Sequence, residues 1–154
     1  MPEREQTGAL EEATRMMLDA VAAYRMAVGS HFEELAGLQP GKAAAMLRPD
    51  GPVTRTLREL TSHELNFLAY SEEPSSPGSV RQYGLPSHDT EGGAEVFATW
   101  QMVCERSRRA TQHLSQSCTR GLLEEAELRK ALLPLFGEYA RCETKLQVLR
   151  NHCE

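Results

Sequence analysis

Aromatic residues are scarce in this chain, with one Trp, four Tyr and four Phe making up 6% of it. Surfaces that stack bases need more than this. There is no basic excess either. Lys and Arg number 17 against 22 Asp and Glu, a formal net charge of −5 at pH 7. Nothing therefore draws the protein electrostatically to nucleic acid or to an acidic membrane, and neither is expected as a partner. Long apolar runs are missing, and a helix that spans a bilayer needs about 20 such residues. The opening stretch MPEREQTGALEEA is acidic and has no apolar core of the kind a signal peptide requires. The expected location is cytoplasmic.

Cysteine is sparse and unpatterned. Cys104, Cys118, Cys142 and Cys153 form no CxxC pair and no zinc-finger spacing. In a reducing compartment they are expected as free thiols. No glycine-rich phosphate loop follows a strand, and no Ser or Cys sits in a nucleophile setting. These absences leave no catalytic group to name. What is present is an ordinary globular balance, 40% hydrophobic and 25% charged, in 154 residues that suit one domain over 1–154.

Apolar residues recur at steps of three and four along most of the chain, which predicts an all-α fold. The first stripe, Leu10, Ala13, Met17, Val21, Tyr24, Val28, His31 and Leu35, predicts a helix over about 9–36 with Thr7 as its cap. Gly37 and Pro40-Gly41 end it. A short helix is expected over about 42–48, before Pro49-Asp50-Gly51-Pro52 breaks the chain. The second long helix, about 54–71, carries Val53, Leu57, Leu60, Glu64, Leu68 and Ser71 on one stripe, flanked by Phe67. The third, about 94–117, carries Val96, Trp100, Val103, Ser107, Ala110, Leu114 and Cys118. Its Arg106, Arg108 and Arg109 fall on the other side as a solvated face, with Glu105 able to pair at i,i+4. The fourth, about 122–150, carries Leu128, Leu132, Leu135, Phe136, Tyr139, Glu143 and Leu146, and Pro134 inside it predicts a kink or restart.

Residues 72–93 hold three prolines and four glycines and show no period. A connection this long is unusual in a compact domain unless it must travel. It is long enough to return to the start of the second long helix, which would make the second and third helices parallel. The alternative is an excursion between antiparallel neighbours.

Two acids stand out, because Glu64 and Glu143 each lie near the centre of an oily face. A register of 79 residues lays Glu59 on Glu138, Glu64 on Glu143, His63 on Cys142, Leu60 on Tyr139 and Leu57 on Phe136. Two helix pairs joined by a crossover, with one inward acid on the second helix of each, resemble the ferritin-like superfamily and its rubrerythrin-like bundles. In that family each half supplies a Glu from its first helix and a Glu-x-x-His from its second, and together they hold two metal ions. The resemblance implies a four-helix bundle with a long crossover, and it makes Glu64 and Glu143 candidate ligands for iron or manganese. The chain departs from the pattern elsewhere. Phe67 and Leu146 stand where the i+3 histidines would be. Met17, Ala20 and Val21 on the first helix, and Trp100, Val103 and Ser107 on the third, stand where the other carboxylates would be.

A buried carboxylate without a partner costs several kcal/mol or takes up a proton. Depth counting places Tyr24 opposite Glu64 as a donor, and Tyr139 one turn before Glu143. Glu59 with His63, and Glu138 with Cys142, are i,i+4 pairs that can also hold a metal. His31 is expected as a hydrogen-bonded inward residue. The resulting expectation is a non-catalytic interaction or scaffolding bundle without a complete di-metal site and without a cofactor. Its partner is a second copy or another protein. The alternative is an iron or manganese protein with a reduced site around Glu64 and Glu143.

Overall fold

The computed structural model describes residues 9–38, 41–72 and 91–153. Among these the chain is helical, with no strand. Its elements are α1 (Glu12–Gly37), α2 (Lys42–Met46), α3 (Pro52–Glu72), α4 (Gly93–Thr119) and α5 (Glu125–Cys153). The long connection expected over 72–93 and the expected cap Thr7 lie largely or wholly outside the described residues. No described helix is long and apolar enough to cross a membrane.

The helix stripes become the core. Val53, Leu57, Leu60 and Leu68 of α3 are fully buried or nearly so, as are Val96 and Val103 of α4 and Leu128, Leu132, Leu135 and Leu146 of α5. Each such side chain contributes about 1.5–3 kcal/mol on leaving water. The α3 helix is buried on more than one face. Its inward threonines Thr56 and Thr61 satisfy their hydroxyls on the carbonyls of Pro52 and Leu57, one turn back. The α5 helix runs unbroken past Pro134, which lies on its exposed side, where the lost backbone hydrogen bond faces water.

Contacts between named residues give the helix directions. Along α1 and α5, Glu11 pairs with Arg129, Tyr24 packs on Phe136, His31 meets Glu143 and Glu34 meets Arg150. Both sets of numbers rise together, so α1 and α5 are parallel. Along α3 and α4, Arg58 donates to the carbonyl of Glu91 at the entry to α4, and Glu64 meets Cys104 farther on. These two helices are parallel as well. Between α3 and α5 the order reverses, with Glu59 on Arg141 and His63 on Glu138.

The turn after α2 anchors this layout. Arg58 also donates to the Pro49 carbonyl at 2.8 Å, and the Gly93 N–H donates to the Leu47 carbonyl at 2.8 Å. The start of α4 is thereby tied beside the start of α3. Gly51 is required here, because a Cβ at that position would lie 2.3 Å from the Met46 carbonyl oxygen. The α1 and α4 helices meet where Phe32 stacks on Phe97 with centroids 4.0 Å apart. Toward the start of α1 an open groove of about 460 Å³ separates them.

Candidate functional site

Glu64 lies at the centre of the α3 stripe and is fully buried. Its carboxylate is saturated with donors. Arg25 of α1 clamps it with two bonds, Nε to Oε2 at 2.7 Å and Nη2 to Oε1 at 2.9 Å. The Tyr139 hydroxyl of α5 donates a short bond to Oε2, and the Cys104 thiol of α4 donates to the same oxygen at 3.4 Å. The Tyr139 hydroxyl in turn accepts from Trp100 Nε1 at 3.0 Å. Four helices thus meet in one chain of hydrogen bonds, with a bidentate charged pair at its middle.

The electrostatics follow from burial and mutual charge. Burial alone would lower the Arg25 pKa, but the hydrogen bonds and charge of Glu64 outweigh it and hold the guanidinium more firmly protonated than usual. Burial pushes the Tyr139 phenol well above its ordinary value of 10.0, and the Glu64 charge adds to the shift. Burial and Glu64 likewise raise the Cys104 thiol above 9.0. Cys104 is thus a neutral hydrogen-bond donor rather than a thiolate nucleophile.

The expected partner of Glu64 is corrected by one residue: Arg25, not Tyr24, reaches the carboxylate. Tyr24 instead stacks on Tyr139, with rings 6° from parallel and centroids 6.5 Å apart. The apolar stripe read through Leu10, Ala13 and Met17 drifts from the true one, which passes through Val21, Arg25, Val28, Phe32 and Leu35. Four of these five are buried apolar residues at steps of three and four, and Arg25 fills the remaining place. A lone arginine inside that register, opposite a lone inward glutamate, is the signal that could have found the pair.

Glu143 does not join this network. The buried positions of α5 are Leu128, Leu132, Leu135, Tyr139, Cys142 and Leu146. That 3.5-residue repeat passes through Cys142 and leaves Glu143 at the margin. Its side chain retains 20% exposure and meets His31 Nε2 at 2.9 Å. Tyr139, expected beside Glu143, turns to Glu64 instead.

The two i,i+4 pairs meet around Glu138. The donor atoms of Glu59, Glu138 and Cys142 all lie within 4.8 Å of one another. His63 Nε2 is 3.6 Å from Glu138 Oε2. Arg141 bridges the acids, donating to Glu59 Oε1 at 2.9 Å and more closely to Glu138. The hydrogen bond from Arg141 holds the Glu138 carboxyl below its usual range, against the opposing effect of burial. Burial pushes the Cys142 thiol up to about 12, partly opposed by the Arg141 charge. On α4, Glu105 pairs with both Arg108 and Arg109 on a solvated face. All four cysteines are free.

No family model, curated protein or solved structure matches the chain.

A di-metal centre of the ferritin kind does not fit the interior. Every donor on Glu64 is a hydrogen-bonding proton, and the Arg25 cation stands against the carboxylate where a metal ion would have to sit. Glu143 is engaged with His31, and neither carboxylate has an i+3 imidazole.

Proposed function

We propose that this chain is a non-catalytic, ferritin-like four-helix bundle that serves as an interaction or scaffolding protein. In this reading a permanent ion pair replaces a metal centre at its core. The observation that carries it is the saturation of Glu64 by Arg25, Tyr139 and Cys104. A site whose carboxylate is filled and whose thiol stays protonated offers stability rather than turnover. The parallel pairing of α3 with α4 supports the crossover layout.

Self-association is supported by the outer face of α1. Met16, Ala23 and Met26 recur there at helical steps, and Met16 and Met26 are 62% and 77% exposed. A second copy would cover this stripe. An antiparallel two-fold pairing centred near Ala23 would set exposed Arg15 of each copy toward exposed Glu33 of the other. Methionines and alanines suit such a helix contact. Sedimentation over a wide concentration range tests the proposal. The expected result is a dimer that Met26→Glu dissociates, and a strict monomer at every concentration removes it. The alternative, iron or manganese held by Glu64 and Glu143, requires metal that co-purifies with the protein and is lost in Glu64→Gln.

A further inference from the structure

We propose that the α3–α5 edge holds a zinc-class metal site built from Cys142, Glu138, Glu59 and His63, with Arg141 as a displaceable internal cation. This goes beyond the scaffold reading and is independent of it. The four donors come as two i,i+4 pairs, one on each of two antiparallel helices, the spacing that aims two side chains of one helix at one point. Glu59, Glu138 and Cys142 already bring their ligand atoms within 4.8 Å of one another, and His63 stands beside Glu138. Cys142 Sγ lies 3.9 Å from Glu138 Oε2, and His63 Nε2 lies 3.6 Å from the same oxygen. Ligand atoms around a tetrahedral zinc ion, at bonds of about 2.0–2.3 Å, stand roughly 3.3–3.8 Å apart. Both separations to Glu138 Oε2 are near such an edge, whereas His63 has to turn about its own side-chain bonds to complete the set with Glu59 and Cys142. A set with one sulfur, one imidazole nitrogen and two carboxylate oxygens favours Zn²⁺ over Mg²⁺ or Ca²⁺, which take oxygen alone.

Arg141 is the cation that a metal ion would have to displace. It already supplies positive charge to Glu59 and Glu138, at half exposure. Its flexible side chain can leave for solvent when a divalent ion enters, because nothing buries the guanidinium in place. On binding, the Cys142 S–H bond breaks, a metal–sulfur bond forms and the proton goes to solvent. No electron transfer is involved.

Titration of the full chain with Co²⁺, followed by its visible and near-ultraviolet absorption, tests the site, with Zn²⁺ as competitor. One equivalent is expected to bind with a sulfur-to-cobalt charge-transfer band that Zn²⁺ abolishes. Cys142→Ser should remove that band, and Glu138→Gln should weaken binding by at least about tenfold. Arg141→Ala should tighten binding by removing the competing cation. Glu59→Gln alters a half-exposed carboxylate, so its fold is expected to be intact and its affinity lower, which keeps the test open if Cys142→Ser fails to fold. Absence of saturable binding in the wild type overturns the proposal. So does a sulfur band that survives Cys142→Ser, or an affinity unchanged in both glutamine variants.

Discussion

Arg25 and Glu64 meet through two parallel hydrogen bonds, 2.7 and 2.9 Å long, although 39 residues separate them in the chain. The glutamate side chain is fully buried and the arginine is 13% exposed. Both charges were taken from water, so each depends on the other. Arg25→Ala should leave an uncompensated buried carboxylate and cost about 3–5 kcal/mol in urea unfolding. The double change Arg25→Met with Glu64→Met should recover most of that loss, since an apolar pair of similar volume needs no partner. A single-mutant cost below about 1 kcal/mol would contradict the buried clamp.

Tyr139 links the same carboxylate to the single tryptophan. Tyr139→Phe removes a donor from Glu64 and an acceptor from Trp100 Nε1. The expected loss is about 1–3 kcal/mol, the cost of leaving buried polar groups unpaired. Trp100 emission should shift in the folded variant, because its indole N–H loses its partner. Unchanged emission and stability together would show that the hydrogen-bond chain is not formed in solution.

Stability should fall on the alkaline side. Cys104 and Cys142 are raised from an ordinary 9.0, and Tyr139 from 10.0, in each case mainly by burial. The unfolded chain releases these protons at the ordinary values while the folded chain retains them. Folding stability due to these groups is therefore full below about pH 9. It is lost as pH rises toward the folded-state values. Thermal melts above pH 9 should show a falling Tm, and Cys142→Ala should flatten the slope relative to its own value at neutral pH. A Tm that is level to pH 11 or so would refute the assignment.

Gly51 has no room for a side chain. A Cβ there would meet Met46 backbone atoms at 2.3 and 2.5 Å. Gly51→Ala should cost about 1–3 kcal/mol through forced movement of the α2–α3 turn. Because that turn ties down the start of α4 through Leu47 and Pro49, amide exchange near Gly93 should quicken as well. A variant as stable as the wild type would mean that the turn adjusts freely.

Much of the helical plan was legible in the chain. The α3 stripe needed no correction, because Val53, Leu57, Leu60, Glu64 and Leu68 keep one register from end to end and are all buried. The inward direction of Glu64 followed from that register alone. Glu143 was misjudged because α5 buries a 3.5-residue repeat, and a face drawn at 3.6 residues per turn drifts past it by one position over the helix. Arg25 lies off the stripe read through Tyr24, and the buried partner that makes its burial tolerable lies on another helix. The meeting of Glu59 and His63 with Glu138 was not legible in the 79-residue register, because contact depends on the antiparallel packing of α3 on α5.

By itself, the order of residues determined where helices form, which face of each is oily and that an acid must be buried in α3. These are local properties, set by spacing along a single rod. Which cation would neutralise that acid, that Tyr139 would serve Glu64 rather than Glu143, and that α4 would run alongside α3 were decided only by packing. Hydrogen bonds and ion pairs act over a few ångströms, so their partners exist only after separate helices have been brought into contact.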